Sequence, residues 1–265
     1  MEKFIEYQGR KVYYSIEGHG EVLLFIHGYL ESSAIWSGFS DRFNSTYTTL
    51  CIDIPGHGHS EVLGPIHEME EMARVISVVL EAEGIEKVVV FGHSMGGYIS
   101  MELLHIFPEK IRGYCLFHST CFSDNEEKKL NRDREISLVM CGKKMQIIHT
   151  NIPKGFADRN IVALQAEIKR VKEIAAASSD DGTIALLQGM KTRKDHSDLL
   201  RRRSPVPLIV WGSLDNFISE EVYEKMLALA PHATVIKLRN SGHMGFIEEA
   251  ECAYAGIMNY LDTLK

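Results

Sequence analysis

Residues 88–100 read VVVFGHSMGGYIS. A run of apolar residues, three of them valine, leads into a turn in which one serine, Ser94, stands between Gly92 and Gly96 with Gly97 behind it. The pattern Gly-x-Ser-x-Gly, with a strand before it and a helix after it, is a nucleophile elbow: glycines permit a tight turn that a side chain would block, and the hydroxyl is left exposed above a sheet. The start of a helix also sets backbone N–H groups and the positive end of the dipole beside any oxyanion formed there. The plainer reading of the same five residues is a serine that caps a helix beside packing glycines. The rest of the chain has to decide between the two.

A serine hydroxyl is a poor nucleophile at neutral pH and needs a general base, itself oriented by a third group. An elbow of this kind takes an acid and then a histidine from later in the chain, each just past a later strand. The stretch LIVWGSLDNFIS (208–219) places Asp215 a few residues beyond a strand, and IKLRNSGHMGFIEEA (236–250) places His243 in a glycine-flanked loop before a helix. Alone, Asp215 has a second reading as a cap for the helix beginning near Ser219, and among twelve histidines a loop histidine is expected by chance. Their joint placement carries the assignment of Ser94, Asp215 and His243 as a triad. A developing oxyanion needs two donors. The backbone N–H of Met95 is one, and FIHGYL (25–30) offers the other at Tyr29, where Gly28 lets the backbone approach a substrate. Both donors are backbone groups, which frees the two side chains to line a pocket. His27 is read as a loop-organising histidine rather than a reacting one, and His118 as a pocket wall or a core residue, because strand C-terminal ends face the site in open parallel sheets.

Around this centre, short apolar runs alternate with helical periods. KVYYSIE (11–17) and EVLLFIHG (21–28), joined by a glycine-rich turn, read as neighbouring strands. ESSAIWSGFSDRF (31–43) reads as a helix, TTLCIDIPGHGHS (48–60) as a buried strand with a glycine-rich loop, and HEMEEMARVISVVLEAEG (67–84) as an amphipathic helix stopped by Gly84. Further strands follow at KVVVFG (87–92), IRGYCLFHS (111–119), VPLIVWGS (206–213) and ATVIKL (233–238), with helices at 94–107, about 219–229 and from about 248. Continuous apolar strands alternating with helices imply a mainly parallel sheet covered on both faces. Residues 119–204 break the rhythm. They are helical in period, lack a clear strand, and carry 17 Lys and Arg against 12 Asp and Glu in a chain whose net charge is −7, so they read as a basic helical insertion between two strands.

Composition bounds the function. The chain has 265 residues, 45% hydrophobic and 25% charged, which suits one sizeable soluble α/β domain with an insertion. An acidic balance without a basic footprint argues against nucleic acid as a partner. Neither a leader with an apolar stretch behind a basic end nor a run of roughly 18 apolar residues is visible, so the expectation is a cytoplasmic protein without membrane attachment. Five irregularly spaced cysteines (51, 115, 121, 141 and 252) have no metal-ligand spacing and read as reduced thiols, mostly buried.

The motifs HGY, DIPGHGHS, GHSMGG, GSLD and SGHMGFIEEA together resemble the α/β-hydrolase superfamily, in particular its capped serine esterase, lactonase and carbon–carbon hydrolase branch. The resemblance covers about residues 10–118 and 205–265 and is only generic between them. It implies an α/β-hydrolase fold, with 1–118 and 205–265 as the core domain and 119–204 as a helical cap. It gives Asp53, His57 and His59 a structural role in their loop. His27, Gly28, His93, His118 and Met244 are the candidates for the substrate pocket. Serine at the elbow sets the chain apart from the family's dehalogenases and from many of its epoxide hydrolases, which carry aspartate there. The implied function is hydrolysis of a small carboxylic ester or lactone through an acyl-enzyme, with no metal or organic cofactor, a small-molecule substrate, and a monomer or small homo-oligomer. Carbon–carbon bond hydrolysis and a ligand receptor that keeps the triad are the alternatives.

Overall fold

The computed structural model describes all 265 residues. Eight strands form one sheet: β1 (Glu2–Tyr7), β2 (Arg10–Gly18), β3 (Val22–Ile26), β4 (Thr48–Ile52), β5 (Val88–His93), β6 (Ile111–Phe117), β7 (Pro207–Gly212) and β8 (Thr234–Leu238). Their order is β1-β2-β4-β3-β5-β6-β7-β8, parallel from β4 to β8 and antiparallel at the β1/β2 and β2/β4 pairs. The runs at 11–17 and 21–28 are therefore not neighbours: β4 lies between them, pairing with β2 on one side and β3 on the other.

The alternation along the central strands explains why they read as unbroken apolar runs. In β3, Leu24 and Ile26 join one core cluster while Leu23 and Phe25 join the other; in β5, Val88 and Val90 face one way and Val89 and Phe91 the other. Both faces are covered, so neither has room for a polar residue. Helices α1 (Met69–Ala82) and α2 (Met95–Ile106) pack on the first face. Gly84, at φ +66, follows the first of them as a left-handed stop. The second face is filled by Trp36, Phe39 and Phe43 from 31–43, which forms two short 3₁₀ turns split by Gly38 rather than one α-helix.

Between β6 and β7 the chain runs through α3 (Glu126–Met140), α4 (Lys144–Lys154), α5 (Gln165–Ala177), α6 (Asp180–Lys191) and the single turn α7 (Ser197–Leu200), without a strand. Helix α6 is seated by backbone contact. A Cβ on Gly182 would overlap the Gly56 carbonyl, and one on Gly189 would overlap the His67 carbonyl, so two glycines two turns apart let α6 lie against the loop between β4 and α1. After β7 come α8 (Glu220–Leu229), α9 (Gly245–Glu248) and α10 (Ala250–Thr263); the last helical stretch is broken at Glu249. No helix is long and apolar enough to cross a membrane. All five cysteines are free, with Cys51, Cys115 and Cys121 buried and Cys141 and Cys252 exposed.

Two predictions follow from this packing. Gly189→Ala drives a methyl group into a backbone carbonyl and lowers Tm by on the order of 5 °C in a thermal melt, whereas Gly64→Ala, with open space around it, leaves Tm within about 1 °C. The second concerns acid. His67 and His118 are buried, and burial pushes each down to about 4; His57 is also held well below its ordinary value, by burial and then by its histidine neighbours. In the unfolded chain these rings take up protons near 6.5, so between about pH 6.5 and 4 the unfolded state binds more protons and stability falls as pH drops. Each of the two histidines contributes on the order of 3 kcal/mol across that window. Melts from pH 7.5 down to 4.5 should show a continuous fall in Tm; a flat profile would contradict the buried neutral rings.

Candidate active site

Strand β5 ends at His93 and α2 begins at Met95, so Ser94 alone makes the turn, at φ 50 and ψ −113. Such a backbone costs roughly 1–3 kcal/mol and persists only where its surroundings impose it. Here they do. The Ser94 N–H donates to Phe117 O at 3.0 Å, and the Ser94 carbonyl accepts from Gly97 N–H at 3.0 Å and from the Ser119 hydroxyl at 2.7 Å. A Cβ on Gly96 would overlap the Ile26 carbonyl, and one on Gly97 would overlap the Ser119 hydroxyl. The two glycines thus serve separate contacts, one with β3 and one with the segment after β6.

Asp215 lies three residues past β7, and His243 lies in the loop between β8 and α9. The His243 Nδ1–H donates to Asp215 Oδ2 at 2.8 Å. The other carboxylate oxygen accepts the backbone N–H groups of Phe217 (2.8 Å) and Ile218 (3.1 Å), and the Tyr223 hydroxyl donates to Oδ2 at 3.2 Å. Burial opposes ionisation of Asp215, but the neighbouring His243 and His118 imidazoles and the His243 hydrogen bond outweigh it and hold the carboxyl below the usual carboxylate range. The ring of His243 is fixed at Nδ1, which leaves Nε2 as its basic nitrogen. Its backbone N–H donates to Gly155 O at 2.6 Å, so the inserted segment helps to hold the loop.

His118 is fully buried at φ 46. The Gly245 N–H donates to its Nε2 at 3.0 Å, so the ring proton sits on Nδ1, 3.6 Å from Asp215 Oδ2 and too far for a hydrogen bond. His118, Asp215 and His243 bring one atom each within 4.8 Å, a spacing that a small divalent cation also accepts. With Nε2 engaged and Nδ1 protonated, however, His118 offers that space a donor rather than a lone pair, which suits a carboxylate between imidazoles better than a metal centre.

The loop expected to carry an oxyanion donor follows β3. The Tyr29 N–H finds no acceptor within the protein, and the Met95 N–H is the first of α2, a position without an intrahelical partner. His27 Nδ1 lies 2.8 Å from Gly28 O, and the Ile54 N–H donates to His27 Nε2 at 2.9 Å. The ring is therefore a neutral imidazole whose Nδ1–H holds the Gly28 carbonyl. In a trans peptide C=O and N–H point in opposite directions, so anchoring the Gly28 carbonyl turns the Tyr29 N–H away from His27.

Ser94, His243 and Tyr29 line one cleft of about 660 Å³, in the range of small-molecule sites. Of the residues placed at the pocket from sequence, His93 and Met244 line it; His27, Gly28 and His118 do not, because they are buried behind its wall in contacts with backbone. Tyr29 contributes its side chain to the lining as well, whereas the Met95 side chain is fully buried in the core. Sequence reading missed Glu31, a charge in an otherwise uncharged stretch after β3, and the wall supplied by the inserted helices. Lys128, Arg132 and Arg134 of α3 and Lys154 of α4 line it together with Glu127 and Glu135 of α3. Arg132 is pinned by its Nε–H on Asp124 Oδ2 at 2.5 Å. Such fixed partners are set by how the helices pack and have no local sequence signature.

A model of the alpha/beta hydrolase fold matches residues 21–140. The chain is 28% identical over 255 residues to the dihydrolipoyllysine-residue acetyltransferase component of the acetoin cleaving system of Cupriavidus necator, covering 94% of this chain but only 66% of that protein. It is 25% identical over 263 residues to the pimeloyl-[acyl-carrier protein] methyl ester esterase of Aliivibrio fischeri, covering 95% and 97% of the two chains. Among solved structures, a thermophilic esterase from Thermogutta terrifontis superposes with a TM-score of 0.94 at 23% identity, over 100% of this chain and 99% of that one. The enol-lactonase from Burkholderia xenovorans LB400 gives a TM-score of 0.90 at 15% identity, over 98% and 100%. With sheet order, elbow and family match in agreement, the chain has an α/β-hydrolase fold.

Proposed function

We propose that the protein is a serine hydrolase of a small carboxylic ester or lactone. The observation that carries this reading is the 2.8 Å contact of His243 Nδ1 with Asp215 Oδ2, with His243 and the strained Ser94 opening into one cleft. The other members of the site agree with it: the first N–H of α2 lies at the elbow, and the Tyr29 N–H, without an acceptor, lies in the loop after β3. Two of the similar proteins are named for an ester and for an enol-lactone.

In the proposed reaction Ser94 Oγ attacks the substrate carbonyl while His243 Nε2 takes its proton. The Tyr29 and Met95 N–H groups hold the oxyanion, each donor being worth roughly 10²–10³ in rate. Asp215 fixes the tautomer of His243 and stabilises the imidazolium, which then protonates the leaving oxygen. Collapse gives an acyl-Ser94 ester; water, deprotonated by His243, attacks it, and the acid departs as the serine regains its proton. No step draws on a metal or an organic cofactor. Residues 119–204 serve as the cap over the core of 1–118 and 205–265, and supply the cleft wall opposite Ser94.

The first test follows nitrophenolate release from p-nitrophenyl acetate and butyrate. Sustained turnover that falls roughly 10⁴-fold or more in Ser94→Ala is the expected result. A burst of about one equivalent followed by a stall would instead favour a receptor that retains the triad, and a Ser94→Ala variant with most of its activity left would remove the assignment. Asp215→Asn keeps the shape of the site but no longer imposes the Nδ1–H tautomer on His243. It should lower kcat by roughly 10⁴-fold with KM close to wild type. A small effect on kcat would hand the orienting role to another group.

A further inference from the structure

In the wall of the cleft, Glu31 and His93 form an ion pair whose side chains are only 5% and 1% exposed. His93 Nδ1 lies 2.9 Å from Glu31 Oε2, and the same oxygen accepts the Gly28 N–H at 2.6 Å. The other ring nitrogen, Nε2, lies 2.9 Å from the backbone carbonyl of His243. A carbonyl only accepts, so Nε2 carries a proton. An ionised carboxylate also only accepts, so Nδ1 carries one as well. His93 is thus a buried imidazolium against a buried carboxylate. Burial opposes both charges, yet the attraction and the hydrogen bonds between them prevail, holding His93 above its ordinary value and Glu31 below its own.

The pair touches three segments that the proposed reaction needs in register. Glu31 holds the backbone of Gly28, next to the Tyr29 donor. His93 is the residue directly before Ser94. Its far nitrogen holds the main chain of His243. Gly28 has no side chain at the point where the pair sits: a Cβ there would lie 2.9 Å from His93 Nδ1 and 3.0 Å from Glu31 Oε2. Edges of aromatic rings close around His93, with Phe246 at 5.0 Å and Trp36 at 6.2 Å between centroids. A buried ion pair contributes little net stability compared with an apolar replacement of similar volume, so the arrangement calls for a purpose other than stability.

We propose that Glu31 and His93 are positioning residues: their ion pair ties the loop carrying the oxyanion donor to the loop carrying the general base, with the elbow between them. The proposal rests on the serine-hydrolase reading above. Only the charged form makes all three links. A neutral His93 has one N–H, and must give up either the carboxylate or the His243 carbonyl. With one link gone, the donor and the base are free to shift relative to Ser94, and misplacements of about an ångström cost on the order of 10²-fold in rate.

The experiment compares wild type, Glu31→Gln and Glu31→Ala in the full chain. Kinetics on p-nitrophenyl butyrate are paired with inhibition by butylboronic acid, which forms a tetrahedral anion on a reactive serine, and with ¹⁵N spectra of histidine-labelled protein at about pH 8. Both variants should lose on the order of 10- to 100-fold in kcat with KM within about threefold, and the boronic acid should weaken by a similar factor. The wild-type spectrum should hold one histidine with both ring nitrogens protonated, and Glu31→Gln should abolish it. Should the alanine variant fail to fold, the near-isosteric glutamine variant is read alone. A lowered Tm with kcat and boronate affinity within about threefold of wild type would reduce the pair to a structural contact and overturn the proposal, as would the absence of a doubly protonated histidine. Ester turnover abolished by Ser94→Ala but indifferent to Glu31 defeats this proposal alone, whereas a wild type without Ser94-dependent turnover defeats the functional reading and this one with it.

Discussion

The site depends on how closely α2 approaches the C-terminal end of β3. Strands β3 and β5 are hydrogen-bonded neighbours, with Ile26 opposite Gly92, so the chain leaves both strands at the same level. Ser94 follows two residues after Gly92, and Tyr29 three residues after Ile26. For these two turns to lie side by side, the first turn of α2 must rest against the Ile26 and His27 carbonyls, and a Cβ at position 96 would fill that space. A single methyl group there would push Ser94 and the Met95 N–H away from the Tyr29 N–H. The strained backbone at Ser94 is the conformational cost of the same approach, and the hydrogen bonds to the Phe117 carbonyl and from Gly97 and Ser119 hold it in place.

Much of this was legible in the chain because the physics is local. A buried parallel strand shows as an unbroken apolar run, since both of its faces are covered, and the elbow shows as glycines around a serine, since its turn excludes side chains. Strand order was a different matter. Periodicity records which face a residue occupies, not which strand lies beside it, and β4 inserts itself between β2 and β3 without a mark in either of them. Strand β1 was passed over because its residues alternate between exposed and half-buried at the sheet edge, so Phe4 and Ile5 carry little apolar signal. The helix expected at 31–43 gave way to two 3₁₀ turns around Gly38, whose φ of +79 suits a turn and not a helix interior. Ser94, Asp215 and His243 could be singled out because each follows a strand end, and the structure places Asp215 and His243 in contact. Glu31 was not, because its partners, His93 and the backbone of Gly28, come together only in the fold.

Four histidines around the site take different states, and in each the deciding factor is what the second ring nitrogen meets. In His27 one nitrogen faces a carbonyl and the other a backbone N–H, so the ring is held as a neutral imidazole with a fixed tautomer. His118 takes the Gly245 N–H on Nε2 and stays neutral, burial keeping it so down to about pH 4. His93 faces an acceptor at each nitrogen and is fixed as the cation. Only His243 has a carboxylate at one nitrogen and an open cleft at the other, so only its second nitrogen is free to exchange a proton with a substrate. A carboxylate beside an imidazole therefore does not by itself mark a base. Asp215–His243 and Glu31–His93 are the same two groups at nearly the same separation, 2.8 and 2.9 Å. One is suited to chemistry and the other to holding a position because a backbone carbonyl closes the far nitrogen of His93, while nothing closes that of His243.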